Sequence, residues 1–283
     1  MKPTRLFFLT LLAMIAFAGN SLLCRLALKE TGIDAASFTF IRLFSGALAL
    51  WIIVKARKAS WREAGNWPSA LALFAYAAAF SFAYLSLSAG TGALLLFDAV
   101  QATMIFWGWR KGERLRLVQL GGLALALSGL ATLLFPGLSA PPPGGAILML
   151  AAGVAWGIYS LRGKAAGDPA GATAGNFLRA VPLAAVLSMT LLPGANLDWA
   201  GVGYALLSGA IASGAGYVIW YTALPSLKAS SAATVQLSVP VLAAAGGILL
   251  LGEPLTLRFL VASMAVLGGI ALVVITPRPA PSR

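Results

Sequence analysis

Asp98 is the one acidic residue deep inside any long apolar run of this chain, in the stretch LLLFDAVQATM. An ionised carboxylate in hydrocarbon is costly unless paired or hydrated, so such a residue signals a polar partner, a water-filled cavity or a proton relay. Arg42, in FTFIRLFSGALAL, carries the complementary charge. Counted from the nearer ends of their runs at ~1.5 Å per residue, the two share a depth of roughly 10 Å. Their charges can satisfy each other in a structural ion pair, or separately hold the amino and carboxylate groups of a zwitterion. Asp98 can also carry a coupling proton. Gln101, at i+3 from Asp98, shares its helix face, and Gln236 offers a comparable amide in a later run. For both, interhelical hydrogen bonding competes with substrate contact.

Arg179 lies in a second Phe-Leu-Arg context, and either binds an anionic group or snorkels to the interface, as Arg25 is expected to do from near the end of its run. Phe17, Tyr76, Phe80, Tyr84, Trp156, Tyr159, Tyr217, Trp220 and Tyr221 are aromatic candidates for lining a cavity, where stacking and cation–π contacts would recognise organic amines. Most are expected to pack or to sit in interfacial belts. Histidine is absent and Cys24 is the single cysteine, so no disulfide, metal centre or other cofactor is called for. One intramembrane carboxylate leaves little for acid–base catalysis, which argues against an enzyme. No phosphate-binding loop for ATP is present.

The elements that must position these residues are membrane helices. Hydrophobic residues make up 60% of the 283 and charged ones 10%, with mean hydropathy +0.89, far from the composition of soluble domains. Apolar runs long enough for a ~30 Å hydrocarbon core predict spans at 6–28, 36–54, 69–88, 91–109, 117–135, 146–162, 173–193, 200–223, 229–251 and 257–276. The first continues past Ala16, Phe17 and Ala18 to Leu28, which suits an uncleaved span over a signal peptide. The expected class is all-α integral membrane, with ten transmembrane helices.

The proline-rich stretch around 141–143 divides the chain near its middle, and the two sides resemble each other. Phe40, Ile41 and Arg42 match Phe177, Leu178 and Arg179, and Tyr84 matches Tyr221 at the same offset of 137 residues. Gly112, Glu113, Arg114 and Leu115 match Gly252, Glu253, Pro254 and Leu255 at an offset of 140. Residues 1–137 and 146–283 are therefore expected to be two five-helix repeats joined by 138–145, and an odd number of spans per repeat makes them inverted. With both termini cytoplasmic, cytoplasmic segments gather 15 of the 20 Lys and Arg, including the clusters around Arg57 and Arg114, as the positive-inside rule requires. This distribution also explains the +12 net charge without nucleic acid.

These features resemble the drug/metabolite transporter superfamily and its bacterial EamA-type members. The resemblance rests on Ala89 to Leu95 with Gly112 and Glu113 in one half, and Ala229 to Ala233, Pro240, Gly252 and Glu253 in the other. It implies a secondary transporter of the inner (plasma) membrane, with both termini cytoplasmic, often exporting amino acids, other metabolites or toxic compounds. A proline-broken helix carries over only to the ninth span, because Val100 stands where the second half has Pro240. The expected partners are the lipid bilayer, a small-molecule substrate and protons. Amino acids or related amines suit Asp98 best, whereas a nucleotide-sugar or drug carrier, a channel and a membrane scaffold are the alternatives.

Overall fold

A computed structural model describes residues 1–57, 64–112, 116–137, 140–163, 168–227 and 235–275. Among these, the regular structure is helical: α1 (Pro3–Glu30), α2 (Ala35–Ala56), α3 (Trp67–Tyr84), α4 (Ala89–Arg110), α5 (Leu117–Leu134), α6 (Pro143–Gly163), α7 (Pro169–Thr190), α8 (Trp199–Ser226), α9 (Ser238–Leu251) and α10 (Leu257–Ile275). Nine of them are long and apolar enough to span a bilayer, and α9 is a shorter apolar helix.

Local chemistry explains where the ends depart from the expected spans. The third span stops at Tyr84, short of residue 88, because Ser88 caps α4 by accepting from Thr91 N at 3.3 Å. α7 begins four residues early, with Pro169 at its first position, where the missing N–H costs nothing. Pro193 belongs to a separate 3₁₀ turn, Leu192–Gly194. The ninth span is described only from 235, and the small-residue motif Ala229 to Ala233 lies outside the described residues, as do Glu113 and Arg114. Helical structure is interrupted at Leu237, just before Pro240. A proline removes one helix hydrogen bond and crowds the carbonyl four residues back, here that of Gln236. Gly252, with φ +62°, ends α9 in the left-handed conformation that glycine adopts without strain.

The bundle encloses polar and aromatic side chains within an otherwise apolar core and presents apolar side chains outward. Phe7, Leu12, Ile15, Phe44, Ile52 and Ile211 are exposed, whereas Asn20, Arg42, Asp98, Gln101, Ser208 and Ser213 are buried. Lipid is as apolar as leucine, so helix association here rests on close packing and interhelical hydrogen bonds. α5 and α10 show the packing. A Cβ added at Gly122 would stand 2.6 Å from the Gly269 carbonyl oxygen, and Gln119 Nε2 donates to Val273 O at 3.0 Å. The remaining helices surround the centre, with α3 and α4 against α6, and α2 against α7 and α8. Asp34 ties the start of α2 to the α7–α8 connection, accepting from Ala36 N, Ser37 N and Asn196 N. Partial burial works to raise its carboxyl, but the hydrogen bonds from Ser37, Asn196 and Ala36 prevail and hold it below the usual carboxylate range.

One charge pair joins the two sides of the chain. Arg25 Nε meets Glu253 Oε1 at 3.3 Å, and both side chains are largely buried. Arg25 Nη1 also donates to Tyr84 O at 2.9 Å, while Ala89 N donates to both Glu253 oxygens at 3.0 and 2.9 Å. Arg25 therefore clamps the α3–α4 corner and does not snorkel, and Glu253 serves as a borrowed cap for α4. Truncating one partner of a buried pair strands the other. Arg25→Ala and Glu253→Gln are each expected to destabilise the protein by roughly 3 kcal/mol, read as a lower unfolding midpoint in detergent. Unchanged midpoints for both would remove this joint from the account of the fold.

Candidate functional site

Arg42 stands at the centre of the bundle. It is 1% exposed, and its guanidinium carbon lies 5.2 Å from the Tyr76 ring centroid and 4.9 Å from that of Phe80. Nε donates to Ser213 Oγ at 3.3 Å and Nη2 to Tyr76 Oη at 3.1 Å. Nη1 is buried with no hydrogen-bond partner among the described residues. Burying a cation costs several kcal/mol unless its donors are met, and cation–π contacts with two rings offset only part of that cost.

Around Arg42 the rings form one cluster. Trp156 of α6 lies 4.9 Å from Tyr76, 4.8 Å from Tyr217 and 5.5 Å from Tyr159, centroid to centroid. Phe17 of α1 meets Trp156, Tyr217 and Trp220 edge-on at 6.1, 5.8 and 6.0 Å. Each such pair contributes about 1 kcal/mol beyond simple burial. The cavity they enclose is lined by Phe17, Asn20, Ser21, Tyr76, Phe80, Leu96, Phe97, Trp156 and Tyr217, and its volume is about 10 Å³, room for roughly one water. A metabolite can enter only if these rings move apart.

A larger cavity, about 330 Å³, lies away from the rings, between the start of α4, the end of α5, α9 and α10. Its one charged lining residue, Glu253, is already bonded to Arg25 and Ala89 N. The central cluster is therefore the better candidate, because it holds the unmet donor.

The expected pairing of Arg42 with Asp98 does not form. Among the described residues the ion pairs are Arg25 with Glu253 and Lys29 with Glu30. Asp98 is 8% exposed and makes neither a hydrogen bond nor an ion pair among the described residues, although its neighbours Leu96 and Phe97 line the central cavity. Gln101, one turn on, is buried with Nε2 unmet, and Gln236 Oε1 is likewise unmet. Of the other candidates, Trp156, Tyr159 and Trp220 join the central rings. Tyr84 stacks edge-on against Phe80 at 4.8 Å and donates to Ala89 O at 3.2 Å, binding α3 to α4. Tyr221 is buried with its hydroxyl unmet. Arg179 Nη1 donates to Ala64 O at 3.0 Å and Gly175 O at 2.8 Å, so it serves the α2–α3 connection.

Asn20 and Ser213 escaped the sequence reading, in which Ser208 counts only as a small residue that permits close helix packing. Asn20 was visible as an amide in an apolar run, whereas two serines among small residues carry no such signal. Ser208 Oγ donates to Asn20 Oδ1 at 2.7 Å, and Asn20 Nδ2 donates to Tyr76 Oη at 3.3 Å.

Long apolar helices with an apolar exterior, closed around a buried polar and aromatic site, form the architecture of a multi-pass membrane protein. Residues 143–275 match the EamA-like transporter family, so the chain carries an EamA-like transporter domain, as the resemblance carried by Pro240, Gly252 and Glu253 led us to expect. An uncharacterized protein of Pseudomonas aeruginosa is 59% identical over 279 residues, covering 98% of this chain and 97% of that one. An uncharacterized transporter of Archaeoglobus fulgidus is 28% identical over 233 residues, 79% of this chain and 82% of its own. A solved crystal structure superposes with a TM-score of 0.64 at 16% identity, over 95% of this chain and 97% of that one, which speaks for the fold alone.

Proposed function

We propose that this transporter is a secondary active carrier of the inner membrane that exports an amino acid or related amine by alternating access. Arg42 carries the reading. A buried guanidinium that has, among the described residues, a free donor and no carboxylate partner, within an aromatic surround, is suited to a substrate carboxylate, since charge-assisted bonds in low dielectric are the strong ones. The substrate's amino group would be met by the π-faces of Tyr76 and Trp156 or by Asp98. A nucleotide sugar fits less well, because its diphosphate would have to be accommodated near the buried Asp98 carboxyl, which has no ion-pair partner among the described residues.

Alternating access needs two halves that can rock against each other, taken here as residues 1–137 and 146–283 in inverted orientation around 138–145. The packing pattern supports this division. α2 lies on α7, α4 on α9 and α5 on α10, while α3 on α6 is matched by α1 on α8. Those are the self-pairs and exchanged pairs that a two-fold relation between the halves generates. The collapsed central cavity corresponds to a closed stage of the cycle.

Counterflow in proteoliposomes tests the proposal. Vesicles preloaded with unlabelled L-phenylalanine are expected to take up radiolabelled L-phenylalanine transiently above equilibrium, with saturation. Phenethylamine, which lacks only the carboxylate, should exchange at least about tenfold less well, the worth of one charge-assisted hydrogen bond. Uptake that rises linearly with concentration would identify a channel, and equal exchange of both compounds would remove Arg42 as the anchor.

A further inference from the structure

α8 is not a uniform helix. Trp199–Leu206 and Gly216–Ala223 are α-helical, but the nine residues Leu207–Ala215 between them form a π-helix. Such segments are rare and concentrate at functional sites. The two serines that reach the central cluster, Ser208 and Ser213, both lie inside it, five residues apart. In an α-helix, residues five apart point about 140° away from each other, whereas an i→i+5 turn stacks them on nearly one face.

The consequence is a chain of hydrogen bonds that leaves the π segment and returns to it, closed into a ring by the segment's own backbone. Ser208 holds Asn20, Asn20 holds Tyr76, Arg42 also bonds Tyr76, and Arg42 Nε returns to Ser213. The segment lies hard against α2. A Cβ at Gly209 would collide with Ser45 Oγ and the Arg42 carbonyl, and one at Gly46 would stand 3.0 Å from Gly209 O. Among the described residues the other half shows no matching π segment. Residues 70–78, which correspond by the 137-residue offset, belong to the regular α-helix Trp67–Tyr84, and Arg179, the match of Arg42, bonds backbone carbonyls instead.

We propose that the π segment of α8 is the positioning element of the binding site, and that Ser213 sets the orientation in which Arg42 receives the substrate carboxylate. This rests on the reading of Arg42 as the anionic anchor. A guanidinium has five N–H donors in a rigid fork. With Nε taken by Ser213 and one Nη2 hydrogen by Tyr76 Oη, the edge left for a carboxylate runs through Nη1 and the second Nη2 hydrogen. Ser208 fixes the far side of the same ring through Asn20, so that Tyr76 cannot swing away from Arg42.

The test compares Ser213→Ala, Ser213→Thr and deletion of Ile211, a residue on the exposed face of the segment, in counterflow with L-phenylalanine and with phenethylamine. Ser213→Ala is expected to raise the half-saturating concentration of L-phenylalanine about tenfold, the worth of one hydrogen bond to a charged group. Maximal rate and phenethylamine exchange should stay near wild type, while the melting midpoint falls only by the loss of one hydrogen bond to a buried cation. Ser213→Thr, which keeps the hydroxyl, should restore the affinity. Deleting Ile211 returns the segment toward α register and should weaken L-phenylalanine by at least as much. If wild type discriminates by the carboxylate but Ser213→Ala leaves its affinity intact, or lowers maximal rate and midpoint together, the positioning role is overturned and the anchor stands. If wild type shows no preference for the carboxylate, both fall.

Discussion

Replacing Arg42 with Gln should weaken half-saturation by L-phenylalanine at least about 100-fold while leaving phenethylamine exchange within a few-fold of wild type. Two hydrogen bonds from a guanidinium to a carboxylate contribute roughly 1.5 to 3 kcal/mol each, so losing both removes at least about 3 kcal/mol, or two decades in affinity. Arg42→Lys keeps the charge but not the planar fork, and cannot bond Ser213, Tyr76 and a carboxylate in one plane. It should recover no more than about a tenth of the lost affinity. Both variants also disturb the ring through Asn20 and Tyr76, so melting midpoints belong beside the transport data. A variant that melts like wild type and loses the carboxylate substrate alone identifies the anchor. Equal loss of both compounds would identify a structural arginine.

Asp98→Asn should abolish proton-driven accumulation while sparing exchange. Asp98 is buried and unpartnered among the described residues, one turn from Gln101 and beside two residues that line the central cavity. A carboxyl so placed can hold a proton while the transporter faces one side and release it on the other, whereas a carboxamide can do neither. In inverted vesicles acidified inside, wild type should accumulate L-phenylalanine in proportion to the imposed gradient. The variant should stay at the level of vesicles without a gradient, its uptake no longer changing with pH. Counterflow, which needs no net proton movement, should continue. Wild-type accumulation and pH dependence in the variant would make Asp98 a packing residue and leave the coupling ion to be sought elsewhere.

The membrane character, the approximate spans and the family were legible in the sequence because each depends on a one-dimensional property. Bilayer thickness sets the length of an apolar run, charge asymmetry sets an expected orientation, and the Gly-Glu repeats sit in register along the chain. Aromatic residues at helical spacing were visible too, and Trp156, Tyr159 and Trp220 do meet in one cluster. Their number in the centre was not visible, since a ring facing lipid and a ring facing a cavity read alike.

Depth along the membrane normal was the one coordinate by which Arg42 and Asp98 could be compared, and it was insufficient. Pairing also depends on which helices adjoin and how each is rotated about its axis, and one residue turns a helix by about 100°. α2 packs on α7 and α8, whereas α4 packs on α6 and α9, so the arginine met Ser213 and two rings while the acid met no partner among the described residues. Arg25 shows the same limit from the other side: its partner Glu253 is 228 residues away and outside any span. The π segment is hidden for a further reason. LSGAIASGA propagates an α-helix adequately by local preference, and contact between Gly209 and the backbone of α2 accompanies the register in which two serines share a face. Sequence determined that this protein lives in lipid and what kind of protein it is. The rotation and register of neighbouring helices decided which polar groups meet at its centre, because those are properties of packed pairs and no single run contains them.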